Sequence, residues 1–388
     1  MSAVLERKPA VLLSGNHAVA TAVMLARPDV IPVYPITPQT PILERITELH
    51  SQGRIRAEML TPESEHSAMA ACISASATGA RVFTATSSQG LLLMHELLHF
   101  ASGARTSIVM CNVNRTPASP WGFWPDQIDS LAQRDTGWIQ LYSESPQESL
   151  DDVIQLFRVA EAVKVPAMVS HDAFYVSHAM EPVDVPAQQT VDAFLPPFRP
   201  EFSLDNALGA SFGTPADQVN WRRTRVDLDA AMARVPELMR EAGRLWGELT
   251  GRPYDLVERH RLDGAQVVLV TMGSMAGTVR HAVDEMRAQG MPVGMLKVRL
   301  FRPLPAAMLR AALAGVPCAL VLDRNYSPGT GGVLHQELKS ALFGMAGAPR
   351  VHGLLTGVGG VNVSPGRIRA LVEEFGERDA QPESVWVE

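Results

Sequence analysis

The sequence has 388 residues, 46% of them hydrophobic, which is more than one core needs and enough for two α/β domains. Its formal net charge is −7 and no Lys/Arg cluster stands out, which argues against a nucleic-acid footprint and a polybasic membrane patch. No apolar run reaches the roughly 18 residues that cross a bilayer, and Glu6, Arg7, Lys8 and Pro9 precede the first apolar stretch, unlike a secretion signal, so a cytoplasmic location without membrane attachment is expected.

From the amino end, AVLLSGNHAVATAVMLA predicts a short strand, a Gly15-Asn16 turn and an Ala-rich helix, with VIPVYP as the next strand. The βαβ pattern continues with a helix over 41–52, a short strand near 56–60, a helix over 65–78, a strand over 80–86, a helix over 89–103 and a strand over 107–113. A long loop to about 127 precedes a helix over 146–162 and a strand over 166–172. Near-continuous apolar strands separated by helices predict a parallel sheet covered on both faces. From 182 to about 222 the chain is Pro-rich and aperiodic, as in a linker or a surface arm. A charged helical stretch over 226–250 then leads to a second series: AQVVLVTMGS, a helix over 275–289, PVGMLKV, a helix over 305–314, CALVLDRN and a helix over 331–343. The expected fold is α/β with two doubly wound domains, 1–184 and 251–388, joined by an arm and helical connector over 185–250.

Several loops carry candidate chemistry. IPVYPITPQTPILERI (31–46) holds four prolines, and Pro35, Pro38 and Pro41 fix the shape of a loop that presents Thr37, Gln39 and Thr40. Glu63, Glu65 and His66 sit where a strand meets a helix of small residues; an acidic turn complementing the helix dipole accounts for them as well as a site does. TSSQG, with Ser88 and Gln89, opens another helix at a strand's carboxyl end, where N-capping is the competing explanation. Arg115 follows the strand SIVMCNV and offers a planar fork to a carboxylate or to a surface acid. The loop 116–127 adds Trp121, Phe123 and Trp124, a pocket wall or a subunit contact. In the second half, VTMGSMAGT and DRNYSPGTGGVLHQEL are Gly-rich turns before helices, with tight turns as the default and an anion site as the alternative. P-loop, HExxH and GxSxG motifs are missing. Cys72, Cys111 and Cys318 form no CxxC pair, which excludes a disulfide framework and a self-contained iron–sulfur or Cys-rich zinc site, so no metal is expected on this chain.

Taken together, GNHAVATAVMLA, VYPITPQTPILE, PESEHSAMAACISASATGARVFTATSSQGLLLMHELL and RDTGWIQLYSESPQESLD resemble the alpha subunit of the 2-oxo acid:ferredoxin oxidoreductases, the pyruvate:ferredoxin oxidoreductase family. GSMAGTVRHAVDEMRAQGMPVGMLKVRLFRPLP and LDRNYSPGTGG resemble that family's transketolase C-terminal-like domain. The resemblance implies a pyrimidine-binding thiamine diphosphate domain followed by that second domain. It also implies oxidative decarboxylation of a 2-oxo acid, with coenzyme A as cosubstrate, by a complex in which this chain alone is inert. The implied partners are a thiamine diphosphate-binding beta subunit, a gamma subunit, a ferredoxin-like iron–sulfur subunit and, where NAD is the acceptor, a flavoprotein subunit. Mg²⁺ and the iron–sulfur clusters would reside on other subunits, since the family's GDG-containing diphosphate motif is missing here.

By the same resemblance, Glu65 corresponds to the glutamate that hydrogen-bonds the aminopyrimidine, and Thr37 and Arg115 to the residues that hold the substrate carboxylate and oxo group. Pro38, Ser88 and Gln89 are placed with Glu65 at the cofactor. Where many pyruvate-type members read GDH-D after the arginine, this chain reads WGFWPDQID, with Pro125 and Gln127 in place of Gly and His. Trp121, Phe123 and Trp124 would therefore line a pocket for an aromatic, phenylglyoxylate-like 2-oxo acid. Pyruvate and a branched-chain oxo acid are the alternatives, and a non-catalytic scaffold is a further one.

Overall fold

A computed structural model describes residues 10–204 and 211–387. Residues 6–9, on which the reading of the amino end leans, and 205–210, within the Pro-rich stretch, lie outside the described residues.

The first half contains β1 (Val11–Ser14), α1 (Gly15–Ala26), β2 (Val30–Pro32), α2 (Thr40–Ser51), β3 (Glu58–Leu60), α3 (Glu65–Ala77), β4 (Val82–Thr86), α4 (Ser88–Leu93), α5 (His95–Gly103), β5 (Ile108–Asn114), α6 (Ile128–Leu131), β6 (Ile139–Ser143), α7 (Pro146–Val163), β7 (Ala167–Asp172), β8 (Met180–Val183), α8 (Gln188–Phe194) and α9 (Gln218–Thr250). The second contains β9 (Val257–His260), β10 (Val267–Thr271), α10 (Met275–Ala288), β11 (Val293–Val298), β12 (Leu300–Arg302), α11 (Ala306–Ala312), β13 (Cys318–Asp323), α12 (Val333–Leu342), β14 (Arg350–Leu355), α13 (Pro365–Phe375) and β15 (Val385–Trp386).

Two sheets carry the fold. The larger runs β12-β6-β7-β5-β4-β2-β3 and is parallel except for β12, and the smaller runs β15-β14-β13-β10-β11-β9 and is parallel except for β9. Every residue of β4, β5 and β7 is buried, as their near-continuous apolar runs predict for strands covered on both faces. Helix starts follow their caps: Ser64 accepts from Ser67 N ahead of α3, and Ser145 accepts from Glu148 N ahead of α7, where Pro146 fills the first helical position. Among the described residues, no helix is long and apolar enough to cross a membrane.

Three local expectations are corrected. β1 stays out of the main sheet and pairs antiparallel with β8, leaving Val11 and Leu12 exposed, because the αβ layer is completed by α1 packing on α7 instead. The helix expected over 89–103 breaks at Met94 into α4 and α5. The Pro-rich stretch holds β8 and α8, anchored by buried Val191 and Phe194, and the connector helix begins earlier, at Gln218. That 33-residue helix buries Ala231, Val235, Met239, Ala242 and Trp246 in the first core. Since β2, β3, β4, β5 and β7 run parallel, the loops following them gather at one carboxyl edge.

Candidate active site

The proline-pinned loop is held from beneath. Asn16, at the start of α1, donates from Nδ2 to the Pro38 carbonyl at 2.8 Å, and its Oδ1 meets His171 Nε2 at 3.2 Å. Burial pushes the His171 imidazole down to about 4, so it is neutral here, and its Nδ1 lies 3.1 Å from Ser149 Oγ. Gly15 lets the start of α1 lie against the segment after β7, since a Cβ there would sit 2.6 Å from the Val176 carbonyl oxygen. Pro38 is buried, Thr37 is exposed, and the fully buried Gln39 side chain has no partner on either polar atom.

Glu65 opens α3 and is only 7% exposed. Its neighbours turn elsewhere: Glu63 accepts from Ser67 Oγ, and His66 lies 3.8 Å from Glu96. The Glu65 carboxylate instead lies over Gly90, where a Cβ would come within 2.5 Å of both Glu65 Oε1 and Thr86 Oγ1. Thr86 Oγ1 is itself buried without a partner. Of the acidic turn, then, Glu65 alone enters the interior, beside the TSSQG turn.

Arg115 joins these loops. Its Nη1 donates to the Thr37 carbonyl and its Nη2 to Gln89 Oε1, while Nε is buried without a partner. Beneath it, Asp129 Oδ2 accepts from Ser88 N at 2.9 Å, Asn112 Nδ2 at 3.1 Å and Arg115 N at 3.2 Å, and Oδ1 accepts from Ser130 N at 2.8 Å. Burial pushes the Asp129 carboxyl up to about 6 against these bonds. Burial, with Asp129 next in effect, takes nearby Asp126 to about 7. Ser88 has a φ of +47°, rare for a residue with a Cβ, and its hydroxyl donates to the Thr116 carbonyl at 2.7 Å. Ser88 is therefore a turn residue committed to the framework, and Gln89 faces Arg115.

The three aromatic residues separate. Trp121 and Phe123 place their ring centroids 5.4 and 5.5 Å from the Arg115 guanidinium carbon and meet each other edge to face at 5.1 Å. Trp124 points away, packing on Phe174 at 5.0 Å and against Gly360.

The structure thus brings Thr37, Pro38, Glu65, Ser88, Gln89 and Arg115 to one edge with Trp121 and Phe123, and sets Trp124 apart. Sequence reasoning missed Asn16 and Asp129. The signals were there in the Gly-Asn pair after β1 and in the paired acids of PDQID, but neither reveals its partner. The buried, unpartnered Gln39 amide and Thr86 hydroxyl, with the Glu65 carboxylate seated on Gly90, are a donor and acceptor set of the kind the polar edge of a bound ring would satisfy. A separate trio of carboxylates, Glu144, Glu148 and Glu258, surrounds the fully buried Lys297, whose Nζ lies 3.2, 2.5 and 3.8 Å from them; the cation there is the chain's own.

Comparison with known proteins gives the family of the chain. A family described as pyruvate flavodoxin/ferredoxin oxidoreductase, thiamine diP-bdg, matches residues 21–244, and one described as pyruvate:ferredoxin oxidoreductase core domain II matches 265–368. The chain is 45% identical over 374 residues to pyruvate synthase subunit PorA of Methanothermobacter thermautotrophicus, covering 96% of each. It is 47% identical over 370 residues to ketoisovalerate oxidoreductase subunit VorA of Pyrococcus abyssi, covering 94% of this chain and 93% of that one. Among solved structures, the 2-oxoglutarate:ferredoxin oxidoreductase from Magnetococcus marinus superposes with a TM-score of 0.73 at 20% identity, covering 95% of this chain and 66% of that chain, a likeness of fold.

Proposed function

Because the chain belongs to the 2-oxo acid:ferredoxin oxidoreductases as an alpha-type subunit, we propose that it supplies the pyrimidine-facing and carboxylate-binding half of a site acting on a 2-oxo acid with a short aliphatic side chain, pyruvate or 2-oxoisovalerate. Proteins of this family are thiamine diphosphate-dependent oxidoreductases that act as part of a complex. The observation that carries the reading is the convergence of Glu65 over Gly90 with Thr37, Gln89 and Arg115 at one sheet edge.

Thiamine diphosphate, when bound, supplies the carbanion chemistry. Glu65 would hold the aminopyrimidine edge, with Gly90 leaving room for the Glu65 carboxylate and Pro38 and Ser88 shaping the wall. Arg115 would bind the substrate carboxylate with Thr37 beside it, and Gln89 fixes the guanidinium plane. Asp129 orients Ser88 and Arg115 through their backbone amides. Trp121 and Phe123 exclude water from Arg115 and strengthen its grip on a carboxylate.

An aryl substrate loses support on this geometry. Trp121 and Phe123 are turned to Arg115 and Trp124 is packed on Phe174, so the three rings do not converge on a single slot for an arene. The two relatives above are named for pyruvate and ketoisovalerate. Coenzyme A as acyl acceptor, a cytoplasmic location, and beta, gamma, iron–sulfur and flavoprotein partners carrying Mg²⁺ and the clusters belong to the same proposal. So do the domain limits 1–184, 185–250 and 251–388. A non-catalytic scaffold is disfavoured by the buried Glu65 in an intact cradle.

The test is viologen-dye reduction by the complex co-purified with this chain, with coenzyme A, on pyruvate, 2-oxoisovalerate and phenylglyoxylate. Preference for an aliphatic acid is expected; preference for phenylglyoxylate, or turnover of none, overturns the reading.

A further inference from the structure

The loop from Arg115 to Gln127 is gripped from the second domain. Asp172, at the end of β7, is almost completely buried. Its Oδ1 accepts from Asn114 Nδ2 at 3.2 Å and Gln127 Nε2 at 3.4 Å, both within the first domain. Its Oδ2 accepts from Ser274 N at 3.1 Å, Ser274 Oγ at 2.6 Å and Arg324 Nη1 at 3.3 Å, all from the second. Arg324 is also buried, donates to Ser274 Oγ at 2.9 Å, and accepts at its carbonyl from Gln127 N at 3.2 Å.

Glycines let the two edges close. A Cβ on Gly273 would lie 2.6 Å from Gln127 Nε2, and one on Gly360 would lie 2.4 Å from Trp124 Cβ and 3.1 Å from Pro125 Cδ. The Tyr175 hydroxyl donates to the Gly360 carbonyl at 3.0 Å, with the Arg324 guanidinium 4.8 Å from its ring. Trp124 to Gln127 are therefore seated on the loops that follow β10, β13 and β14. The outer part of the loop is closed on itself: Thr116 N donates to the Trp124 carbonyl at 3.2 Å, and Thr116 Oγ1 exchanges two 2.8 Å bonds with Gly122. A displacement of Trp124 must then carry Trp121 and Phe123 with it, and these are the rings that cover Arg115.

We infer that the second domain sets the fit of the substrate's side chain, with Arg324 and Ser274 as positioning residues that hold the Arg115-capping loop through Asp172 and Gln127. This rests on the 2-oxo acid reading above and deepens it by naming what controls selectivity. A plain interdomain tie would stabilise the chain without touching substrate choice, whereas a two-ended clamp on this loop transmits any change at Arg324 to the rings over Arg115.

The test uses the assembled complex, comparing wild type with Arg324→Ala, Gly360→Ala and the conservative Arg324→Lys. Amide hydrogen exchange over 116–127 is expected to accelerate by about tenfold in the first two variants and to stay near wild type in Arg324→Lys. The ratio of kcat/KM for 2-oxoisovalerate to that for pyruvate is expected to move by about threefold or more, through KM rather than kcat. If Arg324→Ala fails to assemble, Gly360→Ala decides. Unchanged exchange in an assembled disruptive variant overturns the clamp, and faster exchange at a constant substrate ratio overturns its role in selectivity. A wild-type complex that oxidises neither acid defeats the functional reading, and the exchange result then still decides the clamp.

Discussion

Gly90 and the Glu65 carboxylate occupy one another's space: a methyl at position 90 would come within 2.5 Å of Glu65 Oε1. Gly90→Ala should therefore displace Glu65 and reduce turnover, while costing about 1–3 kcal/mol through overpacking. Dye-linked turnover and thermal unfolding of the complex measure both; full activity in a folded Gly90→Ala variant would separate Glu65 from the chemistry.

Glu65→Gln removes the carboxylate with little change of shape. It should leave thiamine diphosphate bound and lower kcat by about 10²–10⁴-fold. Cofactor retention after gel filtration and single-turnover kinetics check the two halves, and near-normal kcat would remove the assignment.

Arg115 is fixed by Thr37 and Gln89 before substrate arrives. Arg115→Ala should raise KM for the 2-oxo acid more than it lowers kcat, since carboxylate binding precedes its loss as CO₂. Steady-state kinetics with an unchanged KM would put the carboxylate elsewhere. Arg115→Lys should rescue only in part, because an ammonium cannot reproduce two in-plane bonds.

Asp129 gives a pH signature. Its folded pKa, pushed up to about 6, exceeds the ordinary value of 3.8, so the folded state holds its proton more tightly than the unfolded chain. Its contribution to stability is then full below about 4 and is lost as pH rises toward 6. Asp129→Asn should flatten that window in denaturant titrations, lower stability by about 1–3 kcal/mol because an amide cannot accept four N–H bonds, and raise KM as Ser88 and Arg115 shift. An unaltered pH slope would contradict it.

Lys297 and Glu148 form a buried pair across the two domains, 2.5 Å apart. Burial works to raise the Glu148 pKa, but Lys297 and Arg299 outweigh it and hold the carboxyl below its usual range. That contribution is present above the ordinary carboxylate pKa and is lost as pH falls through the depressed value. Lys297→Met should cost about 3–5 kcal/mol, and adding Glu148→Leu should recover much of it. Chemical denaturation of the single and double variants checks the sign.

Much was written in the chain's local patterns. Largely apolar runs such as VFTAT and IVMCNVN identify strands buried on both faces, and Ser64 and Ser145 mark helix starts, because burial period and capping are properties of neighbouring residues. The positions of Glu65, Ser88 and Arg115 at the edge where parallel strands deliver their loops followed from the same patterns, since each directly follows a strand or opens a helix. Local pattern left capping and surface pairing as equal explanations, and only the family resemblance proposed roles for them and for Gln89. What only the tertiary structure decided were meetings between residues far apart in the chain. Asn16 reaches the Pro38 carbonyl, Asp129 collects amides from two loops, β12 leaves the second domain to edge the first sheet, and Asp172 receives Arg324 from 152 positions away. No local pattern encodes these contacts, because each depends on how two independently formed layers pack. The facing of Trp121 and Phe123 toward Arg115, and the seating of Trp124 against Gly360 of the second domain, are meetings of the same kind.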